Sequence, residues 1–196
     1  MADFEGATID DIYEAFAYAE TGSSIDRFQP WIRTRGGKRK GSNAYGPVQM
    51  LSSFVSGAAK QETEEGRKLI DFTDEELKFI DRYAEHGEKL YRHGKMRGKI
   101  PDYDPRFDYG GSGNITDKDK RLYVSTAKKI IKYELKRVGG IKNLKREWRH
   151  GPKKYRKGGE DIKYFKKFDK KLRDILDERD VSSMFPDETI MNSVLG

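Results

Sequence analysis

The sequence predicts a mainly α-helical domain of the α+β kind, with one small β-hairpin near its N-terminal third. Several segments repeat apolar residues at helical spacing and begin or end with capping residues. Only the stretch 30–49 combines Gly-rich turn chemistry with the pattern of short paired strands. The length of 196 residues suits one domain, placed at 1–180, followed by a C-terminal tail at 181–196 that is available for docking.

The first helix is predicted over residues 9–21. Thr8 can cap its N-terminus, and Gly22 supplies a natural stop after its last turn. Phe16 belongs to an apolar stripe along one side of this helix. At ~100° per residue, Glu20 lies ~40° from Phe16 around the helix axis. We therefore expect the carboxylate of Glu20 to lean toward the buried face.

Four more helices are predicted further along the chain. The second begins at Pro47, and the third begins after Thr73, with Glu76 completing a capping box and Leu77 on the buried side. The fourth and fifth are basic and are joined by a connection that contains Trp148. These last two helices are predicted to span residues 117–138, ended by Gly139 and Gly140, and about 160–180.

Composition excludes several classes of function. With no Cys and only three His, the chain has no disulfide framework, no thiolate nucleophile and no expected metal site. No apolar run approaches the ~20 residues of a membrane span. The first five residues, Met-Ala-Asp-Phe-Glu, lack the basic start and apolar stretch of a secretory signal. We expect a soluble chain without a transmembrane segment, a signal peptide or a cofactor.

Charge is distributed unevenly along the chain. Residues 117–173 contain 22 Lys and Arg against 7 Asp and Glu, although the net charge of the whole chain is only +7. Such a half either faces an anionic partner or forms a solvated surface. Nucleic acid, an acidic cell-wall polymer and a membrane surface all carry the required sign, so charge alone leaves the three open.

Glu20 is the candidate for acid–base chemistry. A carboxylic acid at the end of a helix, partly in apolar surroundings, can hold a proton near neutral pH and donate it to a leaving oxygen. The same position also suits an ordinary solvated glutamate, but the residues that follow favour the catalytic role. These are Thr21-Gly22 and, after an intervening hairpin, residues 41–50, which read Gly-Ser-Asn-Ala-Tyr-Gly-Pro-Val-Gln-Met.

This combination resembles the lysozyme-like superfamily, particularly lytic transglycosylases, goose-type lysozymes and phage virion-associated peptidoglycan hydrolases. In that superfamily the catalytic Glu ends a helix, and a segment of the kind Gly-Leu-Met-Gln lines the substrate cleft. Residues 45–50 stand in that place here, 29 positions after Glu20 when counted to Gln49. A weaker likeness lies in residues 148–152, Trp-Arg-His-Gly-Pro, with a cleft aromatic at Tyr155 or Tyr164.

The resemblance implies a role for each matched residue. Glu20 would be the catalytic acid for the β-1,4 bond between MurNAc and GlcNAc in peptidoglycan. Gln49 would bind the N-acetyl groups of the sugars. Ser42 or Thr34 would hold a water, and Tyr45 would stack on a sugar ring or hydrogen-bond to it. The aromatic segment 103–109 is predicted to be an ordered loop, which either forms the far wall of the cleft or is fixed to the core by its aromatic side chains. The substrate-binding candidates are Thr34, Ser42, Tyr45, Gln49, Tyr109 and Tyr155.

The second carboxylate distinguishes two reactions within this superfamily. Asp26 is the only acidic residue between Glu20 and Gln49, and it follows Glu20 by only six positions. A hydrolytic muramidase normally needs a second acid to activate water or stabilise the sugar cation. The absence of a second acid from the hairpin favours a lytic transglycosylase, which uses one Glu first as the acid and then as the base. The muramidase remains the alternative.

The expected partners follow from the same resemblance. The substrate would be the glycan strand of peptidoglycan, and the enzyme would be carried by a phage virion to act in the host periplasm. Other virion proteins of the tail or internal core are possible partners. The rival hypothesis is a non-enzymatic, basic protein that binds nucleic acid or builds the virion, using the helices at 117–138 and 160–180. No recognised nucleic-acid motif supports that rival.

Overall fold

The chain is mainly α-helical. The computed structural model describes residues 4–22, 28, 44–97, 116–155 and 162–184, with side chains at these positions except 45, 86–97, 150–155 and 181–184. Within these residues there are six helices and one two-stranded sheet. The elements are α1 (Ile9–Thr21), β1 (Ala44–Tyr45), β2 (Met50–Leu51), α2 (Ser52–Lys60), α3 (Asp74–Arg97), α4 (Asp117–Val138), α5 (Ile141–Tyr155) and α6 (Ile162–Met184).

Both ends of α1 are closed by the predicted residues. The backbone N–H of Asp11 donates to Oγ1 of Thr8 at 3.2 Å, and the N–H of Thr8 donates to the Asp11 carboxylate at 2.7 Å. This reciprocal capping box satisfies donors that the first turn would leave unpaired. At the other end, Gly22 takes the left-handed conformation and its N–H donates to the Tyr18 carbonyl at 2.8 Å. The predicted bounds of this helix are confirmed.

The hairpin differs from the prediction in the part that is described. β1 pairs antiparallel with β2, with Tyr45 opposite Met50, and residues 46–49 form the turn between them. Pro47 therefore does not start a helix, and α2 begins only at Ser52. The reason is backbone conformation: Gly46 and Gln49 have φ values of +76° and +49°, which a right-handed helix does not allow. The rest of the predicted hairpin lies outside the described residues.

The start of α3 is as predicted, and Ile80 is buried as expected, but Leu77 is not in the core. Thr73 and Glu76 form the predicted capping box. Leu77, expected in the core, is 36% exposed, whereas Glu76 and Phe79 are buried. Lys129 on α4 donates to the Glu76 carboxylate at 2.6 Å. A buried, paired glutamate thus occupies the inner position that hydrophobicity alone assigned to the adjacent leucine.

The segment between the two predicted basic helices, expected to be a connection, contains a helix of its own, α5. α4 begins after Thr116 and ends at Gly139 in the left-handed conformation, as predicted, and α5 follows at once. The Asn143 side chain donates to the Val138 carbonyl at 2.9 Å and closes the corner. Leu144 is buried, and Lys145 is buried next to it because Asp169 of α6 accepts from its ammonium group at 2.5 Å. Because this buried residue is a lysine, the apolar spacing that would predict a helix over 141–155 is interrupted in the sequence.

One hydrophobic core joins all six helices. α1 packs against α6 and α4, α2 packs against α3, and α4 also contacts α3 and α5. Ion pairs of Glu14 with Lys171 at 2.8 Å, and of Asp11 with Arg179 at 3.0 Å, show that α1 and α6 are antiparallel. The core includes Ile12, Phe16, Val48, Val55, Phe79, Tyr123, Ile130, Leu144 and Phe168. No helix among the described residues has both the length and the apolar character to cross a membrane.

Candidate functional site

Glu20 lies in the last turn of α1, at the end of the bundle where α6 begins. Phe16, one turn earlier on the same helix, is fully buried, whereas the Glu20 side chain is 12% exposed. Nη1 of Arg149 lies 3.7 Å from Oε2 of Glu20. The carboxylate is thus largely withdrawn from water but keeps an opening to solvent, and it has a guanidinium beside it. This agrees with the expectation that Glu20 leans toward the buried face.

Arg149 is held from a second side by an aromatic ring. Its guanidinium carbon lies 5.0 Å from the centroid of the Tyr164 ring, which is buried at the start of α6. A guanidinium over an aromatic face is attracted by the negative π surface. The arginine side chain is 40% exposed, so it borders both the interior and the solvent.

Trp148, in the middle of α5, connects this helix with α1 and with the turn at 46–49. Its ring stacks on Phe16, with 4.8 Å between centroids and 24° between planes. Its indole N–H donates to the Val48 carbonyl at 3.3 Å. Phe54 of α2 adds an edge contact at 5.7 Å. One side chain therefore fixes the turn that carries Gln49 to the helix that carries Glu20.

The turn at 46–49 and the strand residue after it pack against two buried tyrosines, Tyr83 and Tyr123. The Tyr83 hydroxyl donates to the Met50 carbonyl at 2.5 Å. The Tyr123 ring lies against Gly46, and its hydroxyl contacts the backbone at Val48 and Met50. Burial raises the pKa of Tyr123 well above its usual value, and the neighbouring tyrosines raise it further. Its phenol therefore remains neutral throughout the physiological pH range.

Gln49 occupies the last position of this turn in a conformation unusual for a residue other than glycine. Its φ is +49°, and its side-chain Nε2 donates to the Gly46 carbonyl at 2.7 Å. The backbone N–H of Gln49 donates to the same carbonyl at 3.0 Å. Two donors thus converge on one acceptor, which stabilises a left-handed backbone that costs of order 1–3 kcal/mol. Strain of this kind is concentrated at functional sites.

The predicted site residues have different outcomes. Trp148 contacts both Phe16, one turn before Glu20 on α1, and Val48, the residue before Gln49 in the turn. Tyr45 lies in β1 and Tyr155 is the last residue of α5, but only the backbones of these two residues are described. Thr34, Ser42, Tyr109 and Asp26 lie outside the described residues.

Arg149 belongs to the weak likeness at residues 148–152, but the sequence pattern gives it no role of its own. The signal that could have found it is the apolar spacing of Ile141, Leu144 and Trp148, which marks one face of a helix. Once 141–155 is a helix packed by Trp148, the next side chain, Arg149, lies at the edge of that face. The position of Glu20 relative to this edge is a tertiary fact.

Glu20 is the titratable group that the sequence singled out at this end of the bundle, and the structure shows it 12% exposed beside a guanidinium. In the part of the chain that the structure describes, no three His, Asp or Glu residues are close enough together to hold a metal ion. Comparisons with protein-family models, with curated proteins and with solved structures give no match. The case for a function therefore depends on Glu20 and its neighbours.

Proposed function

We propose that this chain is a peptidoglycan lytic transglycosylase that cleaves the β-1,4 bond between MurNAc and GlcNAc. The observation that carries the proposal is the Glu20 carboxylate, which is largely withdrawn from water at a helix end and is linked through Trp148 to the turn that carries Gln49. A partly buried carboxyl group that still reaches solvent suits proton transfer to a bound substrate. The likeness of residues 20–22 and 45–50 to the lysozyme-like superfamily supports the same assignment.

The proposed reaction uses Glu20 twice. The protonated carboxyl first donates its proton to the glycosidic oxygen, and the bond from that oxygen to C1 of the muramic acid breaks. The resulting carboxylate then accepts the proton of the C6 hydroxyl on the same sugar, whose oxygen bonds to C1. The product is a 1,6-anhydro ring, and no water is consumed. The scarcity of acids between Glu20 and Gln49, where Asp26 stands alone, supports this single-acid scheme over a muramidase.

Gln49 is proposed to bind an N-acetyl group of the strand. An amide side chain can both donate and accept hydrogen bonds, as the carbonyl and N–H of that group require. In the turn its Nε2 also donates to the Gly46 carbonyl at 2.7 Å, so sugar binding would share or replace that bond. The bond from the Trp148 indole to the adjacent Val48 carbonyl supports a fixed position for this turn relative to α1. The substrate-binding roles of Thr34, Ser42, Tyr45, Tyr109 and Tyr155 are proposed from the superfamily likeness.

The carrier is proposed to be a phage virion, and the site of action the host cell envelope. This proposal depends on the superfamily likeness, because several members of that group are virion components that open the wall during infection. The excess of Lys and Arg in residues 117–173 would favour contact with the anionic wall or with other virion proteins.

The experiment is mass spectrometry of muropeptides released from purified peptidoglycan. The proteins compared are the wild type, Glu20→Gln, and Glu14→Gln as a matched control that removes a paired carboxylate from the same helix. We expect anhydro-muramyl products from the wild type and the control, and none from Glu20→Gln. Products with a reducing end would indicate a muramidase and direct attention to Asp26.

Absence of products from every protein, while a reference enzyme is active, would overturn the proposal. The remaining hypothesis would then be a nucleic-acid-binding or virion structural protein. Its signature is DNA binding that falls steeply with salt and is unchanged in Glu20→Gln.

A further inference from the structure

We propose that Arg149 is a positioning residue for Glu20, holding the carboxylate in place and stabilising it after it has given up its proton. This inference depends on the proposed function. It starts from the ion pair of 3.7 Å between Nη1 of Arg149 and Oε2 of Glu20, in which the carboxylate partner is only 12% exposed. A charge pair with one largely buried member is weakened less by solvent than a pair on the surface.

The position of Arg149 is determined by packing on both sides of it. The preceding residue, Trp148, is fixed by its stack on Phe16 and its bond to Val48. The guanidinium itself lies over the Tyr164 ring at 5.0 Å. One turn earlier, Lys145 pairs with Asp169 and fixes α5 against α6. A long and flexible side chain is thereby restricted to the neighbourhood of Glu20.

The separation suits a group that must both donate and accept a proton. A charge-assisted hydrogen bond between guanidinium and carboxylate would be about 2.7–2.9 Å long, and it would compete for the oxygen that binds the proton. At 3.7 Å, Arg149 acts mainly through its charge. It favours the carboxylate that the first step leaves behind.

Arginine rather than lysine is needed for this role. The planar guanidinium can lie flat on Tyr164 while one of its nitrogens faces Glu20, whereas an ammonium group is a compact, strongly hydrated charge. We therefore expect a lysine at position 149 to keep part of the electrostatic effect and to lose the orientation.

The test is steady-state kinetics on soluble peptidoglycan fragments, with thermal unfolding of every variant. The variants are Arg149→Gln, Arg149→Lys, and Arg173→Gln as a matched control at an exposed arginine of α6. We expect kcat to fall roughly 10- to 100-fold in Arg149→Gln, the scale seen when a reacting group is misplaced. KM should change less than about threefold, since ground-state binding is unaffected. Arg149→Lys should lie between, and Arg173→Gln should match the wild type.

A double variant adds an internal check. Tyr164→Leu removes the ring under the guanidinium while keeping an apolar side chain, and it should lower kcat by a smaller factor than Arg149→Gln. If the ring acts through Arg149, the double variant should be no slower than Arg149→Gln alone.

Failure of each proposal has a different signature. An inactive wild type refutes the proposed function itself. An active wild type with Arg149→Gln equal to Arg173→Gln refutes the positioning role alone, and so does a raised KM with unchanged kcat, which would make Arg149 a substrate-binding residue. If both Arg149 variants lose activity only in proportion to a lowered unfolding temperature, the residue is structural and the proposal is overturned.

Discussion

The backbone of Gly46 lies directly against the buried ring of Tyr123. A Cβ atom at position 46 would stand 2.6 Å from Cε2 and 2.7 Å from the hydroxyl oxygen of Tyr123. Gly46 also has a φ of +76°, which side-chain-bearing residues rarely adopt. The hairpin that carries Gln49 is therefore seated on α4 through a contact that only glycine permits.

Gly46→Ala should strongly destabilise the protein. The added methyl group would collide with a ring that cannot move within the core, and the left-handed backbone would add strain; together these cost roughly 2–4 kcal/mol. Gly57→Ala is the matched control, because a Cβ there meets nothing within 4 Å and the residue lies within α2. That substitution should raise the free energy of unfolding by about 0.5–1 kcal/mol. Urea unfolding measures both; equal effects would contradict the Tyr123 contact.

Trp148→Phe should separate the hydrogen bond of Trp148 from its stacking. Phenylalanine can still stack on Phe16, but the Val48 carbonyl would lose its indole donor within the core. Leaving a buried acceptor unpaired costs about 1–3 kcal/mol. Phe54→Leu, which removes only the edge contact of a 37% exposed ring, should cost less than about 1 kcal/mol. The comparison is made by denaturant unfolding, and a larger loss in Phe54→Leu would count against the bond.

Two substitutions of Gln49 should separate strain from function. Both Gln49→Gly and Gln49→Ala remove the proposed N-acetyl contact, so both should raise KM for peptidoglycan by a similar factor. At a φ of +49°, however, alanine pays for the left-handed conformation and glycine does not. Gln49→Gly should therefore be more stable than Gln49→Ala by about 1 kcal/mol. Equal stability would mean that the turn relaxes when the glutamine is lost.

The stability contributed by Glu76 should disappear in acid. Burial opposes ionisation of Glu76, but donors from Lys129, Ser125 and Thr73 outweigh it, so the pKa is lowered from its ordinary value of 4.5. A carboxyl with a lowered folded-state pKa stabilises the fold above its unfolded value and loses that effect as pH falls through the folded value.

Glu76→Gln is the corresponding variant. At pH 7 it should reduce the free energy of unfolding by roughly 1–2 kcal/mol, because a neutral amide replaces the charge-assisted bond from Lys129, whose side chain is 33% exposed. The gap from the wild type should narrow as the pH falls below 4.5. Asp177→Asn, at an exposed carboxylate of α6, controls for loss of charge alone. A gap independent of pH would exclude ionisation as the cause.

Local chemistry was sufficient to predict the helix ends. Thr8 and Gly22 bound α1, Thr73 with Glu76 starts α3, and Gly139 ends α4, each as the sequence predicts. These features depend on residues within one turn of each other, where capping bonds and left-handed glycines act without help from the rest of the chain. The same locality made Glu20 recognisable as a carboxylate at a helix end.

Position by itself could not show what lies beside that carboxylate. A lysine is usually a surface residue, yet Lys145 is buried because it pairs with Asp169 of α6. This pair fixes the helix at 141–155 against α6. Only the folded chain brings Arg149 to Glu20 across 129 positions of sequence. The amino-acid sequence by itself determined the helix ends and the candidate acid, because these depend on neighbours along the chain. Tertiary structure decided that Arg149 lies beside Glu20 and that the hairpin packs through Gly46 on Tyr123. Ion pairs and close packing of this kind depend on residues far apart in sequence.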